Sequence, residues 1–170
     1  MRLVRRALQE EYAPLVTTGH SLGGALAVLA AYNIQDALPS YLHDAVSVYT
    51  FGAPSVGNAA FQFKLDKLVP HHFRVVVEGD IVPGTVGLCR ALPQQCGTLI
   101  LVDSESPENI IVAPVFLESL FRSDSWGIAS NRRGFDPKVS HKIKTYDVCL
   151  KRCFNSDEFA TITANSASLV

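Results

Sequence analysis

Residues 16–27 read VTTGHSLGGALA, an extended apolar run that breaks at a serine between glycines and continues as an alanine-rich segment. The break has the pattern G-x-S-x-G. This spacing suits a sharp, strained strand-to-helix turn that pushes the serine hydroxyl out of a sheet, with glycines leaving room for the backbone. We predict a nucleophile elbow made of Gly19, His20, Ser21, Leu22 and Gly23.

The alternative interpretation of this stretch is an ordinary Gly-Ser turn before a buried helix. The flanking residues favour the elbow, since residues 14–18 predict a short strand that ends at the first glycine. Alanines at 25, 27, 30 and 31 would make the following helix slim enough to pack closely on a sheet. A helix that begins here would also place the Leu22 N–H, at its positive end, where an oxyanion would form.

In the rest of the chain, segments with the apolar spacing of a helix alternate with β-rich runs. Helical spacing precedes the elbow at Leu3, Val4, Ala7 and Leu8, and β-rich runs follow at 45–52, 73–77 and 97–103, with a helix between the first two at about 57–69. Strands that alternate with helices predict parallel βαβ units. The predicted fold is therefore an α/β three-layer sandwich with a mostly parallel sheet, and we expect the strand at 97–103 to lie at its edge.

Beyond that strand the pattern predicts a short apolar helix at 114–121, a polar loop at 123–137 and a last helix at 139–154. The apolar stretch 110–121 could line a binding pocket, although core packing is the simpler interpretation. We expect the last helix to bury one stripe of residues, namely Val139, Ile143, Tyr146 and Leu150.

Length and composition limit the classes of protein that fit. At 170 residues we expect one domain, residues 1–155, followed by a polar tail at 156–170. A net charge of −1 without a dense basic run argues against a nucleic-acid partner. The charged start shows no signal peptide, and no apolar run is long enough to span a membrane.

Four cysteines are too few for a disulfide scaffold, and their spacing with the histidines predicts no metal site. Cys89 and Cys96 could close a short loop in a secreted protein. Cys149 and Cys153 lie four apart in the predicted last helix, where we expect thiols.

A serine nucleophile needs an imidazole base and a carboxylate that holds the base in its useful tautomer. Catalytic groups in a parallel sheet lie at the carboxyl ends of its strands. Asp80 follows the strand at 73–77 and Asp103 follows the strand at 97–103, so both aspartates are candidates. Its position at the strand end favours Asp80 as the carboxylate that holds the base, and Asp103 remains the alternative.

The base is identified by elimination among the histidines. His20 lies in the elbow itself and cannot turn to face the serine, and the histidines at 43, 71 and 72 precede strands and so belong at the far edge of the sheet. His141 remains, and it falls off the apolar stripe of the last helix. The candidates then occur in the order Ser21, Asp80, His141, which is the order found in α/β-hydrolases.

These residues resemble the class 3, or fungal-type, lipase family of the α/β-hydrolase superfamily. The resemblance rests on residues 16–29 and on the long motif VYTFGAPSVGN at 48–58. Residues 76–83 resemble the family's strand that ends in the catalytic aspartate, which favours Asp80, and residues 141–146 resemble its H-x-x-x-x-Y motif. Residues 97–100 resemble the family's next strand, and this resemblance implies that Asp103 is structural.

The resemblance implies a partial α/β-hydrolase fold and a serine carboxylic-ester hydrolase that cleaves acylglycerols or related lipid esters through an acyl-enzyme. It implies no metal and no organic cofactor, with a lipid ester substrate at a membrane or droplet surface. Phospholipids and plant phenolic esters are alternative substrates. The sequence indicates no compartment.

Members of the family carry earlier strands, a second oxyanion donor and a lid upstream of the elbow. We therefore expect an N-terminally truncated chain whose oxyanion hole keeps only the Leu22 N–H. An exposed sheet edge could then drive self-association. The alternative function is a catalytically impaired remnant that binds lipid or a protein partner.

Overall fold

The structure is a computed structural model that describes residues 2–10, 14–42, 44–84, 96–103, 110–113 and 137–154. The predicted helix at 114–121, the tail at 156–170, His43 and Cys89 lie outside these residues. The division of the chain at residue 155 therefore stays a prediction.

The described residues form five strands and five helices. The strands are β1 (Val16–His20), β2 (Ser47–Phe51), β3 (His72–Val77), β4 (Thr98–Val102) and β5 (Ile110–Ala113). The helices are α1 (Arg2–Glu10), α2 (Leu22–Ala37), α3 (Ala59–Leu68), α4 (Pro137–Ser140) and α5 (Ile143–Phe154). Short 3₁₀ turns occur at Pro39–Tyr41 and Val82–Gly84.

The strands make one sheet in the order β1-β2-β3-β4-β5. The first four strands are parallel and β5 is antiparallel to β4. The register pairs His20 with Phe51 and Phe51 with Val75, so the carboxyl ends of β1, β2 and β3 meet at one edge. The prediction of a mostly parallel α/β sheet is confirmed.

Two layers of helix cover this sheet, one on each face. Successive strand residues point to opposite faces, and Val48 of β2 packs with α2 and α3 while Val75 and Val77 of β3 pack with α5. The first core contains Val28, Ala31, Ile34, Val46, Val48, Leu65, Val69 and Cys96. The second contains Val75, Val77, Val102, Tyr146, Cys149 and Cys153.

The prediction that the strand at 97–103 lies at the sheet edge is wrong, because β5 pairs with β4 and takes that position. The four residues of β5 directly precede Pro114, and a short apolar run cannot be distinguished from a helical segment by periodicity. The interpretation of residues 110–121 as part of the core is also wrong for the first three residues. Ile110, Ile111 and Val112 are exposed.

The last helix also differs from the prediction. It is broken at residues 141–142 into α4 and α5, and the break shifts the helical phase. Val139 and Ile143 are exposed, which contradicts the prediction for the first half of the stripe. Tyr146 is buried together with Cys149 and Cys153, and Leu150 packs against the same core, as predicted for the second half. A helical wheel drawn continuously across the break therefore misplaces Val139 and Ile143.

Candidate active site

Ser21 joins β1 to α2 in a strained backbone conformation. Its φ of 55° and ψ of −129° lie outside the regions that L-residues prefer, and it is the one non-glycine residue with positive φ in the described part of the chain. Its N–H donates to the Phe51 carbonyl at 2.9 Å, and the Gly24 N–H donates to the Ser21 carbonyl at 2.9 Å. Such strain costs about 1–3 kcal/mol and persists where neighbours hold it, as at a nucleophile elbow.

The glycines in the elbow and directly after it have different structural roles. A Cβ at Gly19 would overlap the Gly23 carbonyl, and one at Gly24 would lie 2.7 Å from the Ala53 Cβ. A Cβ at Gly23 would meet nothing within 4 Å. The close approach of α2 to the sheet thus requires Gly19 and Gly24, and the expectation that Gly23 leaves needed room is wrong.

The structure brings Ser21, Asp80 and His141 together. The His141 Nε2 lies 2.8 Å from the Ser21 Oγ, and its Nδ1 lies 2.9 Å and 3.0 Å from the two Asp80 carboxylate oxygens. With Nδ1–H donating to the carboxylate, Nε2 is left to accept the serine proton. The Asp80 side chain is fully buried, whereas 24% of the His141 side chain is exposed.

Two further donors hold the Asp80 carboxylate. The Val82 N–H donates to Oδ1 at 2.9 Å, and the Tyr146 hydroxyl donates to Oδ2 at 2.6 Å. Burial, and then the neighbouring Asp80 charge, raises the pKa of Tyr146 far above its usual value, so the phenol stays a donor. The same hydroxyl accepts the Val77 N–H at 3.3 Å.

Gly52, just beyond the end of β2, makes room for this cluster. It has a φ of 58°, and a Cβ there would lie 2.5 Å from the Asp80 Oδ2 and 2.8 Å from the Tyr146 hydroxyl. The sequence placed Tyr146 on a helix stripe and in the H-x-x-x-x-Y resemblance, without predicting its bond to Asp80, and Gly52 was given no role in the site. The glycine at the end of the strand was the available signal.

The competing aspartate lies elsewhere. Asp103 follows β4, and burial, with a smaller effect of the Asp103 charge, raises the pKa of the Cys149 thiol on α5. Both oxygens of Asp80 contact the His141 ring instead. The geometry therefore pairs Asp80 with the imidazole.

The other described histidines near the sheet differ in their surroundings. His72 is buried at the amino end of β3, and neither ring nitrogen has a hydrogen-bond partner among the described residues. Burial, and then the Arg74 charge, lowers the pKa of His72 to about 3. His20 was predicted not to face the serine; its Nε2–H instead donates to the His141 carbonyl at 2.8 Å, a contact that sequence reasoning missed.

Four exposed apolar side chains adjoin these residues in sequence. They form what we call the apolar rim: Leu22 (68% exposed), Ile81 (42%), Val139 (46%) and Ile143 (56%). Leu22 follows Ser21, Ile81 follows Asp80, and the other two flank His141. Exposed apolar side chains thus lie close in sequence to each of the residues Ser21, Asp80 and His141.

Neither a metal cluster nor a spanning helix occurs in the part of the chain that the structure describes. No group of three or more potential metal ligands is placed to hold an ion among those residues. None of their helices has both the length and the hydropathy needed to cross a bilayer. The arrangement is suited to nucleophilic catalysis by a serine with an imidazole base.

Comparisons with known proteins identify the family to which the sequence is similar. A sequence model of the family described as "Lipase (class 3)" matches residues 2–89. A lipase of Caenorhabditis elegans is 47% identical over 81 residues, which cover 44% of this chain and 21% of that protein. The chloroplastic phospholipase A1-Igamma1 of Arabidopsis thaliana is 42% identical over 93 residues, covering 51% and 18% of the two chains.

Solved structures of lipases are also similar to this chain. The triacylglyceride lipase of Rhizomucor miehei superposes with a TM-score of 0.57 at 30% identity, over 66% of this chain and 43% of that one. The chain therefore spans about a fifth of the length of these two curated relatives and under half of this structural neighbour.

Proposed function

Because the chain belongs to the class 3 lipase family, we propose that it provides the catalytic residues of a serine carboxylic-ester hydrolase acting on acylglycerols or related lipid esters. The observation that carries the proposal is the line of hydrogen bonds from the Ser21 hydroxyl through the His141 ring to the buried Asp80 carboxylate. It links nucleophile, base and orienting acid in the roles that acyl transfer requires.

In the proposed reaction the Ser21 Oγ attacks the ester carbonyl while the His141 Nε2 takes the hydroxyl proton. The Leu22 N–H, in the first turn of α2 where amides have no intrahelical partner, supports the negative oxygen. The His141 Nε2–H then gives its proton to the departing alcohol, and the acyl group stays on Ser21. Water, deprotonated by His141, attacks the acyl-enzyme, and the carboxylic acid and free serine are released.

Asp80 acts on the base and not on the substrate. Its carboxylate accepts the His141 Nδ1–H, which fixes the tautomer and stabilises the imidazolium that forms during attack. The Val82 and Tyr146 donors keep the carboxylate in place. This second set of bonds explains how a fully buried charge is tolerated, since buried charges need hydrogen-bond partners.

The substrate class follows from the relatives and the rim together. One relative is named a phospholipase A1 and another a triacylglyceride lipase, so both an acylglycerol and a phospholipid ester fit the proposal. Plant phenolic esters remain the third substrate class. The apolar rim supports docking at a lipid surface, because exposed apolar side chains gain free energy when they leave water.

Self-association is a second proposed property. Among the described strands β1 pairs on one side only, and Val16 of β1 is exposed. An unpaired strand edge offers N–H and C=O groups to another strand. Light scattering across a concentration series measures it: a mass that stays that of one chain at all concentrations would dismiss this property.

The test of the activity is labelling with a fluorophosphonate probe and turnover of a short-chain p-nitrophenyl ester. We expect both in the wild type and neither in Ser21→Ala. Ser47→Ala is the matched control, since Ser47 begins β2 at the opposite end from the site, and it should keep both. Equal labelling of wild type and Ser21→Ala would end the assignment. An unlabelled, inactive wild type that still binds vesicles would favour the remnant that binds lipid.

A further inference from the structure

The base of the site lies on a segment separate from the sheet. His141 occupies the turn between α4 and α5, whereas Ser21 and Asp80 follow strands. Within that turn the Lys142 N–H and the Thr145 hydroxyl both donate to the Val139 carbonyl, at 3.1 Å and 2.7 Å. The Thr145 N–H donates to the Lys142 carbonyl at 2.9 Å.

These local bonds leave the His141 carbonyl to a partner outside the segment, and that partner is His20. The His20 Nε2 lies 2.8 Å from the carbonyl oxygen. A carbonyl oxygen can only accept, so Nε2 must carry the proton. The bond thus joins the backbone of the base to the residue that directly precedes the nucleophile.

His20 is itself held firmly. It is the last residue of β1, in register with Phe51, and the next N–H in the chain donates to the Phe51 carbonyl. Its ring lies 4.8 Å from the His141 ring and meets the Tyr146 ring edge-on at 5.6 Å. The His20 side chain is therefore fixed at its base by the sheet and at its tip by two aromatic neighbours and a hydrogen bond.

We propose that His20 is a positioning residue that fixes the backbone of His141 relative to Ser21, an inference that rests on the proposed hydrolase function. Asp80 holds the ring of His141 and His20 holds its carbonyl. Two bonds to different parts of one residue fix both the location and the rotation of the imidazole. His20 acts through His141 and exchanges no proton with the substrate.

The magnitude follows from the sensitivity of proton transfer to geometry. A misplacement of about 1 Å can cost about 100-fold in rate. Loss of the His20 donor should therefore lower kcat by about 10- to 100-fold. KM for a short soluble ester should stay within about twofold, because His20 contacts the base and the alignment lost is needed only in the transition state.

The experiment compares two amide variants. In His20→Gln the amide nitrogen lies the same number of bonds from Cα as the imidazole Nε2, so it can still donate to the His141 carbonyl. His20→Asn carries the same group one atom short. We measure kcat and KM on p-nitrophenyl butyrate and confirm folding of both variants by thermal melting. The proposal expects a lower kcat in His20→Asn and most of the wild-type kcat in His20→Gln.

Equal kcat in both variants, whether at the wild-type level or equally reduced in folded protein, would overturn the role of the donor. Proton NMR of the His141 Nδ1–H gives a readout independent of turnover. Its downfield signal should shift or broaden in His20→Asn and be restored in His20→Gln. If the wild type neither labels nor turns over ester, the hydrolase proposal fails, and an unchanged NMR signal in His20→Asn would separately refute the positioning role.

Discussion

Replacing Gly52 with alanine tests how tightly the site is built around the Asp80 carboxylate. The new Cβ would lie 2.5 Å from the Asp80 Oδ2. An ordinary van der Waals contact begins at 3.4 Å, so the carboxylate or the Cβ must move by about 1 Å. A displacement of that size at a catalytic group can cost about 100-fold in rate.

Stability should fall as well, because the φ of Gly52 is 58°. The left-handed conformation costs a non-glycine residue about 1 kcal/mol, and the steric displacement adds about 1–3 kcal/mol by the range for overpacked cores. We therefore expect Gly52→Ala to lose about 2–4 kcal/mol of unfolding free energy, measured by urea denaturation, and about 100-fold in kcat.

Gly57→Ala is the matched control. Gly57 also has a positive φ, 74°, but the three atoms nearest to a Cβ there all belong to the Phe61 side chain. This variant should lose stability from the same conformational strain while it keeps kcat. Wild-type kcat in folded Gly52→Ala, or an equal loss of kcat in Gly57→Ala, would refute the reasoning.

The remaining predictions concern stability and the buried acid. The pKa of His72 is about 3 in the folded protein, against 6.5 for an unperturbed histidine, so the unfolded chain binds the proton first as the pH falls. Stability should therefore drop by about 1.4 kcal/mol per pH unit between those values. His72→Phe should flatten this slope in urea titrations from pH 7 to 4, and an unchanged slope would exclude His72 as its source. Gly23→Ala, in the exposed first turn of α2, should raise the unfolding free energy by about 0.5–1 kcal/mol. A lower melting temperature than that of the wild type would show that a Cβ is not accommodated at this position. Tyr146→Phe removes a donor to a buried carboxylate, so it should cost about 1.5–3 kcal/mol and lower kcat; wild-type urea stability would show that the 2.6 Å bond contributes little.

The elements with strong local signals could be predicted from sequence. The G-x-S-x-G pattern indicates the elbow, and β1, β2 and β3 alternate with α2 and α3, whose helical periods are clear. The strand-end rule also placed Asp80 at the edge where the structure has it, 2.9 Å from His141. Each of these features is determined by residues close together in the chain.

The predictions that failed, and the contact that was missed, concern features that depend on distant residues or on a break in the helical phase. β5 is defined by its pairing with β4, which a four-residue apolar run does not reveal. The turn at residues 141–142 resets the helical period, so Val139 and Ile143 were wrongly assigned to the buried stripe. The contact of His20 with the His141 carbonyl joins residues 121 positions apart, and periodicity carries no information about such a pair.

The most direct test of the account is the rate at which a fluorophosphonate labels the protein, with the adduct located by peptide mass spectrometry, in Asp80→Asn and Asp103→Asn. The account predicts an adduct on Ser21, a loss of about 10³- to 10⁴-fold in Asp80→Asn, where the imidazole would be held in the wrong tautomer, and a rate within about twofold of wild type in Asp103→Asn. An adduct on another residue, or equal rates in the two variants, would contradict it.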